Sequence, residues 1–185
     1  STVFGHASAQ GAIAVGAAFY GDTPAYGTTP PQVERFSSAG PTQILFDRAD
    51  QPIHVIRAKP ELVAPDGVNT SFFGRDINDP GDGSDRDSFP NFFGTSAAAP
   101  QVAAVAALAL EAQPLLSPAE LYALLQRTAL RMEPIGLDEQ TGFGLLQADQ
   151  VVTELFQHDI RSQSISEPAT ALPGQPVTYT LTFIH

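Results

Sequence analysis

The run Phe93-Gly94-Thr95-Ser96-Ala97-Ala98-Ala99-Pro100, continuing as Gln101-Val-Ala-Ala-Val-Ala-Ala-Leu108, constrains this chain more than any other segment. Alanine is the best helix former and carries almost no side chain. Residues Ser96–Gln113 therefore read as a thin helix that can lie close to a sheet and be buried on all sides. Pro100 lacks an N–H, so it removes the hydrogen bond to the Ser96 carbonyl four residues back. The first turn must then be held by tertiary packing rather than by its own ladder. Ser96 falls where free amides and the helix dipole favour negative charge. That environment suits a serine attacking a carbonyl, because the developing oxyanion lands beside the Ser96 N–H. Gly94 lets a substrate backbone approach where a side chain would block it. The same residues also make an ordinary helix N-cap, and on this motif alone both uses stay open.

The rest of the chain supplies strands and further helices around that segment. Gly11–Tyr20 is a short apolar, small-residue run of the kind found in buried parallel strands. Val33–Gly40 reads as a short strand breaking into a Ser-Ser-Ala-Gly-Pro turn. Gln43–Phe46 and Ile53–Ile56 suggest a hairpin around Asp47–Gln51, and Lys59–Pro65 a brief strand between prolines. Ser117-Pro118-Ala119-Glu120 combines an N-cap, a proline at the first helical position and a capping-box glutamate. Leu121, Leu124, Leu125 and Ala129 follow at helical spacing, and a third helix is expected at about Gln147–Phe156. Beyond Phe156 the pattern turns to period-2 alternation, clearest in Val177-Thr-Tyr-Thr-Leu-Thr-Phe183. Two strands cannot bury a core by themselves. The tail, 157–185, is therefore read as the start of a truncated β-sandwich after a first domain at 1–156, and its Pro173-Gly-Gln-Pro-Val-Thr-Tyr-Thr180 segment resembles those of Ig-like repeats.

Charge and composition exclude several classes. Nine basic against 20 acidic residues give a net charge of -11, which argues against a nucleic-acid partner or an anionic membrane surface. The longest apolar run, Val102–Leu110, is too short to cross a bilayer. With no cysteine in 185 residues, disulfides, thiolate nucleophiles and zinc–thiolate sites are impossible. Asp76, Asp79, Asp82, Asp85 and Asp87 form an acidic, glycine-rich loop that can wrap calcium or simply be solvated. Its spacing departs from the EF-hand loop, which favours the solvated use. The four histidines, His6, His54, His158 and His185, lie in no catalytic context and read as surface or core residues.

Five segments, in order, carry a resemblance. They are Gly11-Ala-Ile-Ala-Val-Gly-Ala17, Phe36-Ser-Ser-Ala-Gly-Pro41, Lys59-Pro-Glu-Leu-Val-Ala-Pro-Asp-Gly67, Gly94-Thr-Ser-Ala-Ala-Ala-Pro100 and Thr141-Gly-Phe-Gly-Leu-Leu-Gln-Ala148. Together they resemble the C-terminal portion of the catalytic domain of subtilisin-like (S8) serine peptidases. The resemblance implies an α/β fold, a parallel sheet with helices on both faces, and Ser96 as the nucleophile. It implies a serine endopeptidase working through an acyl-enzyme in the parent protein, secreted or at the cell surface, with a protein or peptide substrate. No cofactor is required, and calcium is the one metal that many members bind. In this family the triad aspartate and histidine and the oxyanion-hole asparagine precede the Val-Gly-Ala strand. The chain alone is thus expected to be inactive, to need the upstream half of its domain, and to carry an apolar edge where that half would pair. Phe4 and Gly5 are placed near the pocket for the residue before the scissile bond. Gln101 stands where the family often has histidine, a packing position. The alternative is a catalytically dead subtilisin-fold binding or structural module of a secreted multidomain protein.

Overall fold

In the computed structural model of the protein, residues 2–77, 87–132, 139–157, 161–166 and 180–184 are described. The centre is a pair of parallel strands, β1 (Val15–Phe19) and β4 (Leu62–Asp66), in register from Val15 opposite Leu62 to Phe19 opposite Asp66. Between them in the chain lie β2 (Thr42–Phe46) and β3 (Pro52–Arg57), an antiparallel hairpin with a bulge at Leu45. Asp47 shapes its turn, its Oδ1 accepting from the Ala49 and Gln51 amides at 2.8 and 2.9 Å. After β4 come β5 (Val68–Asn69) and β6 (Asn91–Phe92), a short antiparallel pair, then α1 (Thr95–Ala112), α2 (Pro118–Arg127) and α3 (Ala148–Gln157). Last come β7 (Arg161–Ser166) and β8 (Thr180–Ile184), which pair antiparallel with each other.

Both faces of the central pair are dry, which explains why its strands read as continuous apolar runs rather than alternating ones. Ala17, Leu62 and Ala64 face a core built with Ala98, Val102, Val105 and Ala109 of α1. Leu124 and Leu125 of α2 and Val151 and Leu155 of α3 complete it. On the opposite face Ala18 and Val63 meet Met132 and Leu145, with Val33 packed against them. The α/β class and the parallel sheet expected from the sequence are what the structure has. The burial of α1 differs from expectation. One stripe is buried, whereas Ala99, Ala103, Ala104 and Leu108 are exposed. By length and mean hydropathy (1.2) α1 would suit a bilayer. Its buried stripe is committed to the core it shares with the sheet.

Val33–Gly40 is not a strand. A turn closes there, Ser37 N–H donating to the Glu34 carbonyl at 2.9 Å. The Ser37 side chain takes the role a strand backbone would have had, its Oγ accepting from the Ala17 amide at 2.9 Å. Glu34 N–H donates to the Ala17 carbonyl at 2.7 Å, so β1 keeps its polar groups satisfied without a ladder at this point. Among the described residues β4 is the one strand in a ladder with β1.

The segment before α3 joins the sheet on the other side of β4. Phe143 N–H donates to the Glu61 carbonyl and Leu146 N–H to the Val63 carbonyl, both at 2.8 Å. Gly142 permits this approach, because at its φ of +59° a Cβ would stand 2.4 Å from the Glu61 and Pro60 carbonyl oxygens. Gly144 lets the same segment lie against Leu130. Its φ is +121°, and a Cβ there would stand 2.0 Å from the Leu130 carbonyl oxygen.

A buried ion pair ties the start of β4 to the chain ahead of β1. Lys59 (3% exposed) pairs with Glu61 (8%). Lys59 Nζ also donates to the Ala12 carbonyl at 2.5 Å, and Glu61 Oε2 accepts from the Ala14 amide at 2.7 Å. All these partners would be lost together. Removing one member strands the other's charge in the core, so Lys59→Ala should cost about 3–5 kcal/mol. Ser117→Ala removes the observed capping box of α2 and should cost about 1 kcal/mol. Urea unfolding of the two variants checks the ranking, and equal losses would contradict it.

Candidate active site

Two buried polar side chains shape the described residues between β4 and α1, 67–77 and 87–94. Asn91 (1% exposed) donates from Nδ2 to the Gly67 carbonyl at 3.0 Å and to Asn69 Oδ1 at 2.8 Å. Its Oδ1 accepts from the Ile77 amide at 3.1 Å. The Gly67 amide in turn donates to the Phe92 carbonyl at 2.9 Å. Asn91 thus fastens both stretches beneath the residues that lead into the helix.

The second is Asp66, fully buried at the end of β4. Its Oδ2 accepts from the Gly94 amide at 2.7 Å, whereas Oδ1 has no hydrogen-bond partner. Gly94 is the N-cap of α1, with φ +110° and ψ 163°, a conformation that L side chains rarely adopt. Its carbonyl accepts from the Ala97 and Ala98 amides at 2.8 and 3.2 Å. Ser96 follows in the first turn, exposed, with its own N–H among the helix-start amides that have no acceptor inside the helix. Next to it Thr95 joins Val3, Phe4, Ala14, Val15 and Pro60 in lining a cavity of about 140 Å³. A larger cavity, about 480 Å³, lies against α2 and Phe143 and is lined by none of these residues.

An exposed serine at a helix N-terminus, presented by a strand-to-helix turn beside a cleft, is compatible with a nucleophile, which also needs a base within reach. The model of the subtilase family (peptidase S8) matches residues 1–144. The chain belongs to the subtilase family.

Among solved structures, fervidolysin from Fervidobacterium pennivorans, a keratinolytic enzyme related to subtilisin, is 21% identical with a TM-score of 0.57. That match covers 97% of this chain and 26% of the other. The CspB protease of Clostridium perfringens is 23% identical with a TM-score of 0.56, over 85% of this chain and 30% of that one. At these identities the likeness is one of fold. This subtilase chain spans less than a third of the length of either structure. The comparison with curated proteins gave no match.

Of the residues singled out in the sequence, Ser96, Gly94 and Phe4 come to this region. Gly5 is not part of the cavity lining, though its neighbour Phe4 is. His6 and His54 are both exposed, and neither makes a hydrogen bond with Ser96; His158 and His185 lie outside the described residues. So do Asp79, Asp82 and Asp85 of the acidic loop. Of its two described members, Asp87 accepts from the Asn69 side chain at 2.5 Å and from the Phe89 amide at 2.7 Å. Among the described residues no three acidic or histidine side chains converge as metal ligands. Sequence reasoning missed Asp66 and Asn91. Nothing in the sequence around Asp66 points to Gly94, 28 residues on, as its partner.

Burial raises the pKa of the Asp66 carboxyl, opposed by the Gly94 N–H and by its own backbone amide. Glu34 is raised too, first by burial and then by the carboxylates of Asp66 and Asp22. A carboxyl raised in the folded state binds its proton more tightly there than in the unfolded chain. Its contribution to stability is full below the unfolded value, about 3.9 for aspartate, and is lost as pH rises through the folded value. Asn cannot titrate, so the difference in Tm between wild type and Asp66→Asn should be most favourable to wild type in acid. It should shrink or reverse as pH increases towards 8. Thermal melts from pH 3.5 to 8 measure it, and parallel curves would contradict the assignment.

Proposed function

We propose that this chain is the C-terminal part of the catalytic domain of a serine endopeptidase, with Ser96 as its nucleophile. The observation that carries the reading is the placement of Ser96, exposed in the first turn of α1 beyond a glycine held by Asp66. A histidine from the upstream half of the domain takes the Ser96 proton as the hydroxyl attacks a peptide carbonyl. The oxyanion forms beside the Ser96 N–H, with a second donor supplied from upstream. The amine leaves with a proton from the histidine, and water then hydrolyses the acyl-enzyme by the same acid–base route. The cavity lined by Phe4, Val15 and Thr95 receives the side chain that precedes the scissile bond. Its size favours a small or medium side chain.

Among the described residues no histidine hydrogen-bonds to Ser96, so the general base is assigned to the upstream half. Without a base the hydroxyl is a weak nucleophile and the rate falls by several orders of magnitude. The paired strands β7 and β8 support a separate β-sandwich domain beyond residue 156, an arrangement suited to a secreted or cell-surface protein. The same pairing suits a subtilisin-fold module that binds without cleaving.

Labelling with a fluorophosphonate separates the two. The isolated chain should remain unlabelled and turn over no peptide. A protein that includes the upstream half should be labelled at Ser96 alone, and Ser96→Ala should abolish cleavage while costing on the order of 1 kcal/mol of stability. If the protein with its upstream half resists labelling, the peptidase reading fails and the binding module takes its place.

A further inference from the structure

Asp66 is an expensive residue for a protein to keep. It is fully buried, one carboxyl oxygen has no partner, and burial opposes its ionisation. Buried polar groups left unpaired cost stability and are few in native structures, so each calls for a reason. The surroundings keep water out. A Cβ on the adjacent Gly67 would lie 2.7 Å from the Phe19 ring and 2.9 Å from the Phe93 ring. Those two rings stack at 5.8 Å with an interplanar angle of 20°. The Asp66 carboxyl in turn raises the pKa of Glu34, after the effect of that residue's own burial.

What the carboxyl holds is the Gly94 amide, two residues before Ser96. Gly94 has no side chain to restrict it, and its φ of +110° and ψ of 163° leave it free to rotate once released. Its carbonyl is fixed by the Ala97 and Ala98 amides of α1. Its N–H, on the opposite side of the residue, is fixed by Asp66. Those two attachments determine how the Thr95 and Ser96 peptide planes enter the helix, and with them the direction of the Ser96 N–H and hydroxyl.

Resting on the peptidase reading above, we propose that Asp66 is a positioning residue for the reaction: by accepting the Gly94 N–H it orients the nucleophile turn and the Ser96 oxyanion donor. It touches no substrate and transfers no proton. The requirement is for an acceptor at this place rather than for a negative charge. Asparagine keeps such an oxygen and alanine does not. A misoriented donor weakens the transition state without altering the distant contacts that bind substrate. The loss therefore appears in kcat rather than in KM.

The test uses the protein containing the whole catalytic domain, compared as wild type, Asp66→Ala and Asp66→Asn, with steady-state kinetics on a peptide and the rate of fluorophosphonate labelling at Ser96. Asp66→Ala should lower kcat and the labelling rate by about tenfold to a hundredfold, with KM within about twofold. Asp66→Asn should restore both to within a few-fold of wild type. If Asp66→Ala does not fold, Asp66→Ser takes its place, because it keeps a polar oxygen but falls short of the Gly94 amide. An unlabelled wild type sinks the peptidase reading and the role of Asp66 with it. A labelled wild type sinks the role alone in any of three cases: the alanine or serine variant keeps its kcat, KM rises in step with the loss, or Asp66→Asn is as impaired as Asp66→Ala.

Discussion

The parallel pair β1–β4 is buried on both faces, and the placement of everything else follows from that. Ala17, Leu62 and Ala64 meet the three helices on one side, and Ala18 and Val63 meet Met132 and Leu145 on the other. A sheet with no wet face must satisfy its polar groups at its edges and ends. The chain does so locally. Ser37 and Glu34 take the Ala17 amide and carbonyl, the segment 143–146 bonds to β4, and the Lys59–Glu61 pair anchors the peptide groups of Ala12 and Ala14. The Lys-Pro-Glu sequence ahead of β4 is thus a packing device, with its charges spent inside the protein.

The same strand also reaches the start of α1. β4 ends at Asp66, and its carboxyl reaches across to the N-cap of α1. The core that places α1 against β1 and β4 and the hydrogen bond that orients its first turn therefore originate in one five-residue strand. Asn91, just ahead of α1, bonds back to Gly67, Asn69 and Ile77 and so joins the described residues that follow β4 to those that precede α1. The exposed serine then depends on rigid elements at both ends rather than on the residues between them, which suits a residue that must be held to a fraction of an ångström.

Local patterns were legible where local chemistry decides. The capping box at Ser117 and Glu120 formed as read, because its partners are three residues apart. The hairpin β2–β3 also stood close to its expected limits, whereas the central strands began later than read, β1 at Val15 rather than Gly11 and β4 at Leu62 rather than Lys59. Val33–Gly40 was misread because its apolar and extended-looking residues have no ladder partner, and a serine side chain fills the role instead. The burial of α1 was misread because alanine tolerates water and core alike, so composition cannot say how many sides are covered. Ser96 was singled out through its neighbours in sequence, and the structure places it exposed in the first turn of α1. Asp66 was not singled out, because its meaning lies in Gly94, 28 residues away, and only the fold joins them.

The central claim is that the turn from Asp66 to Ser96 presents a nucleophile and not merely a helix cap. A crystal structure of the complete catalytic domain after reaction with a phosphonate inhibitor tests it most directly. The account predicts a single covalent adduct on Ser96 Oγ, with a phosphoryl oxygen accepting from the Ser96 N–H and the Gly94 N–H still on Asp66. An adduct on any other side chain, or an unmodified Ser96 whose hydroxyl caps α1, would contradict it.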